Sequence, residues 1–362
     1  DAHLTDDQAR ALQAVAWKAV SGYAPAPGAQ PQAIAVATEP EPVAPPPEVQ
    51  APEVQAPEGQ APTPPSLPTF TPITNPNLAL GLAGVNDWTV QQPFLDVMKT
   101  ARPWVGHLPG QWGGWGHDDL AAKGYLDADG WPKSLPPDLT GIATLILTDL
   151  PADAAGVAGR YVISWSGKGT LAVEGRAVPV QADPGRILFD YTPGEGAVLL
   201  TMTAIDATDP IRNISVVRQD REAALASGQI FNPDWLARIR GAKALRFMDW
   251  MATNDSLLSK AADRPKPGDY TWARQGVPME TLIALANELE ANPWFTLPHM
   301  ASDDYIRQFV TYVRDHLAPG LVARFELSNE VWNWGFDQAH YAQAEAARLW
   351  GAEVEGGWMQ WY

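Results

Sequence analysis

The chain has 362 residues, is 46% apolar, carries a formal charge of −17 at neutral pH and contains no cysteine. This length allows two domains of ordinary size around a sizeable core. The acidic balance argues against nucleic acid and anionic membranes, which recruit Lys and Arg; the absent thiols exclude disulfides, thiolate metal sites and cysteine nucleophiles.

The chain opens on Asp1, with neither Met nor a signal segment, which reads as a mature or trimmed product. Together with the missing cysteines this suits an exported bacterial protein, extracellular or periplasmic. Residues 1–23 hold a short amphipathic helix over 4–20. Thr5 can cap it with Gln8 as the capping-box partner, and Leu12, Val15, Ala16 and Ala19 share one face. Residues 24–76 are rich in Pro, Ala, Gln and Glu, including a repeat at Ala51-Pro52-Glu53-Val54-Gln55-Ala56-Pro57-Glu58. Such a composition buries too little apolar surface to order itself and reads as an extended tether. No apolar run nears the roughly 20 residues that span a bilayer.

Residues 77–139 begin with a buried strand over 78–85 that ends at Asn86-Asp87-Trp88. A helical turn over 93–100 and a loop rich in Trp and Gly follow. Residues 140–220 change character. Short alternating runs at 143–147, 160–165, 170–173, 186–191, 197–205 and 214–217 are separated by Gly, Pro and Asp, the spacing of a small β-sandwich inserted in the main domain. Residues 221–362 read as βα units: strands over 243–247, 294–297 and 321–327, helices over 279–290, 303–316 and 337–349. Alternating buried strands and helices imply a parallel sheet with helices outside.

Chemistry in such sheets gathers at the carboxyl tips of the strands. The tips here offer Trp88, then Arg246 with Asp249 and Trp250, then His299, then Asn329-Glu330 followed by Trp332 and Trp334. A carboxylate flanked by an amide and Trp faces suits glycosidic cleavage. Glu330 would deliver the proton to the leaving oxygen, and burial among Trp332 and Trp334 would raise its pKa. Asn329 would hold a sugar 2-hydroxyl. Arg246 needs a carboxylate partner, either a nucleophile or a structural ion pair. His299 could bind substrate, orient a carboxylate or be structural. Sixteen Trp fit large cores as well as sugar platforms. His299, His316 and His340 lie on separate elements at no ligand spacing, and no phosphate-cradling Gly loop or nucleophile elbow occurs. No metal and no cofactor is therefore expected.

Three segments carry a resemblance: residues 93–104, residues 245–254 with Arg246, and Ser328-Asn329-Glu330-Val331-Trp332-Asn333-Trp334. The region from about 78 to 362 resembles the clan-A glycoside hydrolase superfamily of (β/α)8 TIM barrels. More narrowly, it is similar to exported bacterial proteins labelled cellulose-binding or putative glycosidase. The resemblance implies a retaining hydrolase of β-linked polysaccharide, with Glu330 as acid/base, Asn329 as its companion amide, and Arg246 and His299 in the substrate-side shell. The family's nucleophile is a Glu on the seventh strand, and this chain supplies only about four βα units. It is therefore expected to be the N-terminal half of a barrel of about 250 residues, partnered by the remaining half, with the nucleophile outside the region given. The alternative is a non-catalytic carbohydrate-binding or extracellular assembly protein.

Overall fold

The computed structural model describes residues 73–352 and 354–362; the helix expected over 4–20 and the tether up to residue 72 lie outside them. Four strands form a parallel sheet: β1 (Ala79–Gly81), β11 (Ala244–Arg246), β12 (Asn292–Leu297) and β13 (Arg324–Leu327), in the order β1-β11-β12-β13. In-register pairs such as Leu80 with Leu245 and Arg246 with Trp294 align all four carboxyl tips at one end.

The two faces of this sheet differ because side chains alternate along a strand. One face presents Leu245, Phe295 and Phe325. Phe295 sits 5.5 Å from Phe325 and 5.1 Å from Phe309 on the covering helix α5 (Asp303–His316), ring centre to ring centre. Helix α5 forms because Tyr305, Phe309 and Val313 recur every four residues as a buried stripe, Ser302 caps Tyr305 N–H, and Asp303 and Asp304 lie at the positive end of its dipole. Helix α4 (Met279–Leu289) buries Leu282, Ile283, Leu285 and Ala286 and stops at Glu290, whose φ of 52° is left-handed. The other face of the sheet carries Arg246, Trp294 and Glu326.

Nine further strands lie between β1 and β11, in two antiparallel sheets. One has the order β3-β2-β4-β9-β6, from β2 (Val105–His107), β3 (Gly114–Trp115), β4 (Gly141–Ile146), β6 (Gly169–Gly175) and β9 (Val198–Ile205). The other has the order β10-β5-β8-β7, from β5 (Gly159–Ser166), β7 (Ala177–Asp183), β8 (Arg186–Tyr191) and β10 (Arg212–Arg218). Their inner faces share one core containing Ile142, Ile146, Leu200 and Met202 from the first sheet and Ile163, Phe189 and Val216 from the second. At the β5–β6 turn only glycine fits: Gly167 has φ of 90°, and a Cβ there would meet the Pro210 carbonyl oxygen at 2.0 Å.

This architecture corrects the (β/α)8 barrel expected from the sequence. Among the described residues the strands divide into one parallel sheet of four and antiparallel sheets of four and five, so antiparallel pairing dominates. The parallel sheet is open among the described residues, with β1 and β13 each bonded to a single neighbour. The error has a physical source: βα alternation specifies parallel strands with outer helices but does not specify closure, and the alternating runs read as a minor insertion supply most of the strands.

The remaining helices are short or peripheral: α1 (His117–Ala122), α2 (Glu222–Ala226), α3 (Pro233–Ile239), α6 (Asp337–Trp350) and α7 (Gly357–Trp361). No helix among the described residues is long and apolar enough to cross a membrane.

Candidate functional site at the carboxyl tips of the parallel strands

Arg246 is the last residue of β11 and points across the polar face. Its Nη2 donates to Glu326 Oε1 and Oε2 at 3.0 and 2.9 Å and to Asn329 Oδ1 at 2.9 Å. Trp294 of β12 adds an indole N–H to Glu326 Oε2 at 2.9 Å, and the Arg246 guanidinium lies 5.1 Å from the centre of its ring. The carboxylate that Arg246 requires is thus Glu326, four residues before Glu330. Sequence reasoning missed that role. The available signal was alternation: Arg324 and Glu326 share one face of β13, Phe325 and Leu327 the other.

β13 ends in a sharp turn. Ser328 and Glu330 both have left-handed backbones, with φ of 59° and 42°. Such conformations are uncommon outside glycine and persist where the surroundings hold them. Here Ser328 N–H donates to the Leu297 carbonyl at 2.6 Å, and buried Asn329 is gripped from two sides. Its Oδ1 accepts from Arg246, and its Nδ2 donates to Asn254 Oδ1 at 3.0 Å. Glu330 is half-buried, and its Oε2 accepts from Asn333 Nδ2 at 3.0 Å. Next to it Trp332 is 61% exposed. Trp334 is 38% exposed and rests against Trp358, 5.2 Å away between ring centres.

His299, just beyond β12, is buried with its ring 5.1 Å from Tyr341. Burial lowers its pKa and outweighs the opposing pull of Asp337 and Asp255, so its imidazole is neutral near pH 7. Asp249 stands exposed beside the β1 tip, its Cβ 3.8 Å from where a side chain at Gly84 would begin. Arg246, Asn329 and Glu330 are thus joined through one hydrogen-bond network and the turn it holds, while His299 lies within the electrostatic reach of Asp337 and Asp255 instead.

Two of the aromatic candidates lie apart from that network. Trp250 is 1% exposed, stacks on Trp235 at 5.5 Å and donates its indole N–H to the Ala83 carbonyl at 3.1 Å. It is a core residue with no face for a ligand. Trp88 is 57% exposed, with the Arg102 guanidinium 5.6 Å from its ring. Its neighbour Asp87 is buried, bonded to Arg102 at 2.9 Å and to Thr148. Asn254 and Gln338 complete the network behind Asn329, and neither was assigned a role from sequence. Gln338 precedes buried Ala342 and Ala346 by four and eight residues, so helical spacing places it on the inner face of its helix, but that spacing does not name its partners.

Among the described residues no group of three His, Asp or Glu side chains is arranged to hold a metal ion. No protein-family model, no curated protein and no solved structure matches this chain.

Proposed function

We propose that this protein is a glycoside hydrolase of β-linked polysaccharide, exported to the periplasm or beyond, with Glu330 as general acid/base. The observation that carries the reading is the left-handed Ser328-Asn329-Glu330 turn at a strand tip, gripped through Asn329 by Arg246 and flanked by the exposed face of Trp332. A proton donor at the glycosidic oxygen must be held in place, and an open indole can stack on a sugar ring. Asn329, Arg246 and His299 form the polar shell of this reading, with Trp332 and Trp334 as its platforms. A retaining reaction needs a second carboxyl group about 5–5.5 Å from the first; Glu326 is committed to Arg246 and Trp294, so the nucleophile stays unassigned.

The test is hydrolysis of a panel of β-glucans by wild type and Glu330→Gln. The expected outcome is a loss of about 10²–10⁴-fold in kcat with sugar affinity retained. Full activity in Glu330→Gln would remove the assignment. Sugar binding without hydrolysis in both proteins, weakened by Trp332→Ala, would favour the carbohydrate-binding alternative that the exposed indoles also suit.

A further inference from the structure

Gln338 has no exposed surface, although it lies in the first turn of α6. Its Oε1 accepts from the backbone N–H of Asp255 at 3.0 Å, and its Nε2 donates to Asn254 Oδ1 at 2.8 Å and to the Asn329 carbonyl at 2.9 Å. Asn254 Oδ1 accepts a second bond from Asn329 Nδ2 at 3.0 Å, and Asn329 Oδ1 accepts from Arg246 at 2.9 Å. Three side-chain amides therefore run between two groups that can only donate: a guanidinium at one end and a peptide N–H at the other.

The two ends of an amide are alike in shape, but this run admits one orientation of each. Arg246 draws the oxygen of Asn329, which turns its nitrogen toward Asn254. The Asp255 N–H draws the oxygen of Gln338, which turns that nitrogen toward Asn254 as well. Both nitrogens meet one atom of Asn254, and only an oxygen can receive them. The Asn254 nitrogen is left facing Met248 Sδ at 3.8 Å.

The run also spans two unusual turns. Ala252 and Asp255 after β11 have φ of 47° and 56°, and Ser328 and Glu330 after β13 have φ of 59° and 42°. Gln338 bonds to both. We infer that Asn254 and Gln338 are positioning residues that set Asn329 and Glu330 in place through this single donor order. Their catalytic sense rests on the glycosidase reading above; the donor order does not.

Two near-isosteric substitutions separate this arrangement from ordinary packing. Asn254→Asp keeps an oxygen acceptor for both nitrogens. Gln338→Glu, when ionised, has no donor and sets a carboxylate against Asn254 Oδ1 and the Asn329 carbonyl. Turning Asn254 over does not relieve it, because Arg246 fixes Asn329. Protonation does, since a carboxylic acid regains one O–H. The charged groups around position 338 are Asp337 beside it on α6, Asp255 on the facing turn, His299 beyond β12, Glu330 directly after the Asn329 carbonyl, and Arg246 with Glu326 behind Asn329. Wild type carries all of them, so its own pH profile subtracts their titration.

The experiment is the melting temperature of wild type, Asn254→Asp, Gln338→Glu and Gln338→Met between about pH 7 and about pH 4.5, with kinetics on the best β-glucan substrate. Asn254→Asp should stay within about 2 °C of wild type, while Gln338→Glu melts about 5 °C or more lower near neutrality and recovers about half the gap in acid. Gln338→Met should show a gap that does not change with pH, and should lower kcat about ten- to a hundred-fold with KM within about three-fold. Equal losses in Asn254→Asp and Gln338→Glu, or a Gln338→Glu gap indifferent to pH, would overturn the donor order. Should Gln338→Glu not fold, an unaltered melting temperature in Gln338→Met would do so instead. An unchanged kcat in Gln338→Met would overturn the positioning role. Absence of turnover in wild type on every β-glucan would sink the glycosidase reading and the catalytic sense with it, while the melting temperatures still decide the donor order.

Discussion

Glu326 and Arg246 face each other with about a quarter of each side chain open to water, 22% and 25%. A half-buried pair gains little from mere attraction, yet removing one partner strands the other. Replacing Glu326 with Leu leaves the Arg246 guanidinium without its carboxylate and the Trp294 N–H without its acceptor. The expected cost is about 2–3 kcal/mol in urea unfolding, below the range for fully buried pairs because water still reaches both groups. Combining Arg246→Met with Glu326→Leu should cost less than the two single changes added; strict additivity would mean the pair does not act as a unit. The sequence carried the requirement for this pair in a single Arg at a strand end. It could not say which acid answers, because that depends on the register that puts Arg246 beside Trp294 and Thr296 beside Glu326.

Helix α5 shows where local sequence suffices. Its cap, its acidic first turn and its four-residue apolar repeat all point to a helix over 303–316, and the helix runs Asp303–His316. Ser302→Ala removes the oxygen that accepts from Tyr305 N–H at 3.2 Å and should cost about 1 kcal/mol, read as a lower urea midpoint at unchanged slope. No change would show that the cap is satisfied otherwise. The strands were less legible. The expected strand over 78–85 contracts to β1 (Ala79–Gly81), because beyond it the backbone turns to bury Asp87 against Arg102 and Thr148. The edge strand β7 was not foreseen. Pro179 sits mid-strand and Val178 and Val180 are exposed, so its sequence lacks the alternation of a half-buried strand. A proline is tolerable there because β7 is an edge, which only the assembled sheet reveals.

Across the molecule, a marked electrostatic feature lies away from the strand tips. His117 is buried with its Nδ1 3.2 Å from the Tyr270 hydroxyl, and burial, helped by Arg274, pushes its pKa down to about 4 from the ordinary 6.5. The unfolded chain therefore takes up a proton below about pH 6.5 that the folded chain refuses until about pH 4. The stabilisation is complete above the unfolded value and is lost as the pH falls through this window. About 2 kcal/mol should disappear between about pH 7 and about pH 5, and His117→Gln should flatten that part of the profile in urea titrations. An identical slope in both proteins would place the titration elsewhere. His299 and His107 are shifted in the same direction by burial and add to the trend.

Composition and local pattern were enough to locate the helices over 279–289 and 303–316, most antiparallel strands, and a strand ending in Asn329-Glu330, because capping, periodicity and turn chemistry act over a few residues. The topology of the sheets was decided by the tertiary structure. Strand pairing joins residues as distant as Gly81 and Arg246, and whether a parallel sheet closes depends on edges and twist that no short window contains. The same holds for the aromatics: Trp250 and Trp332 both follow strand tips, and packing alone put one in the core and the other in water. It holds most of all for Gln338, whose role exists only where three turns of chain meet.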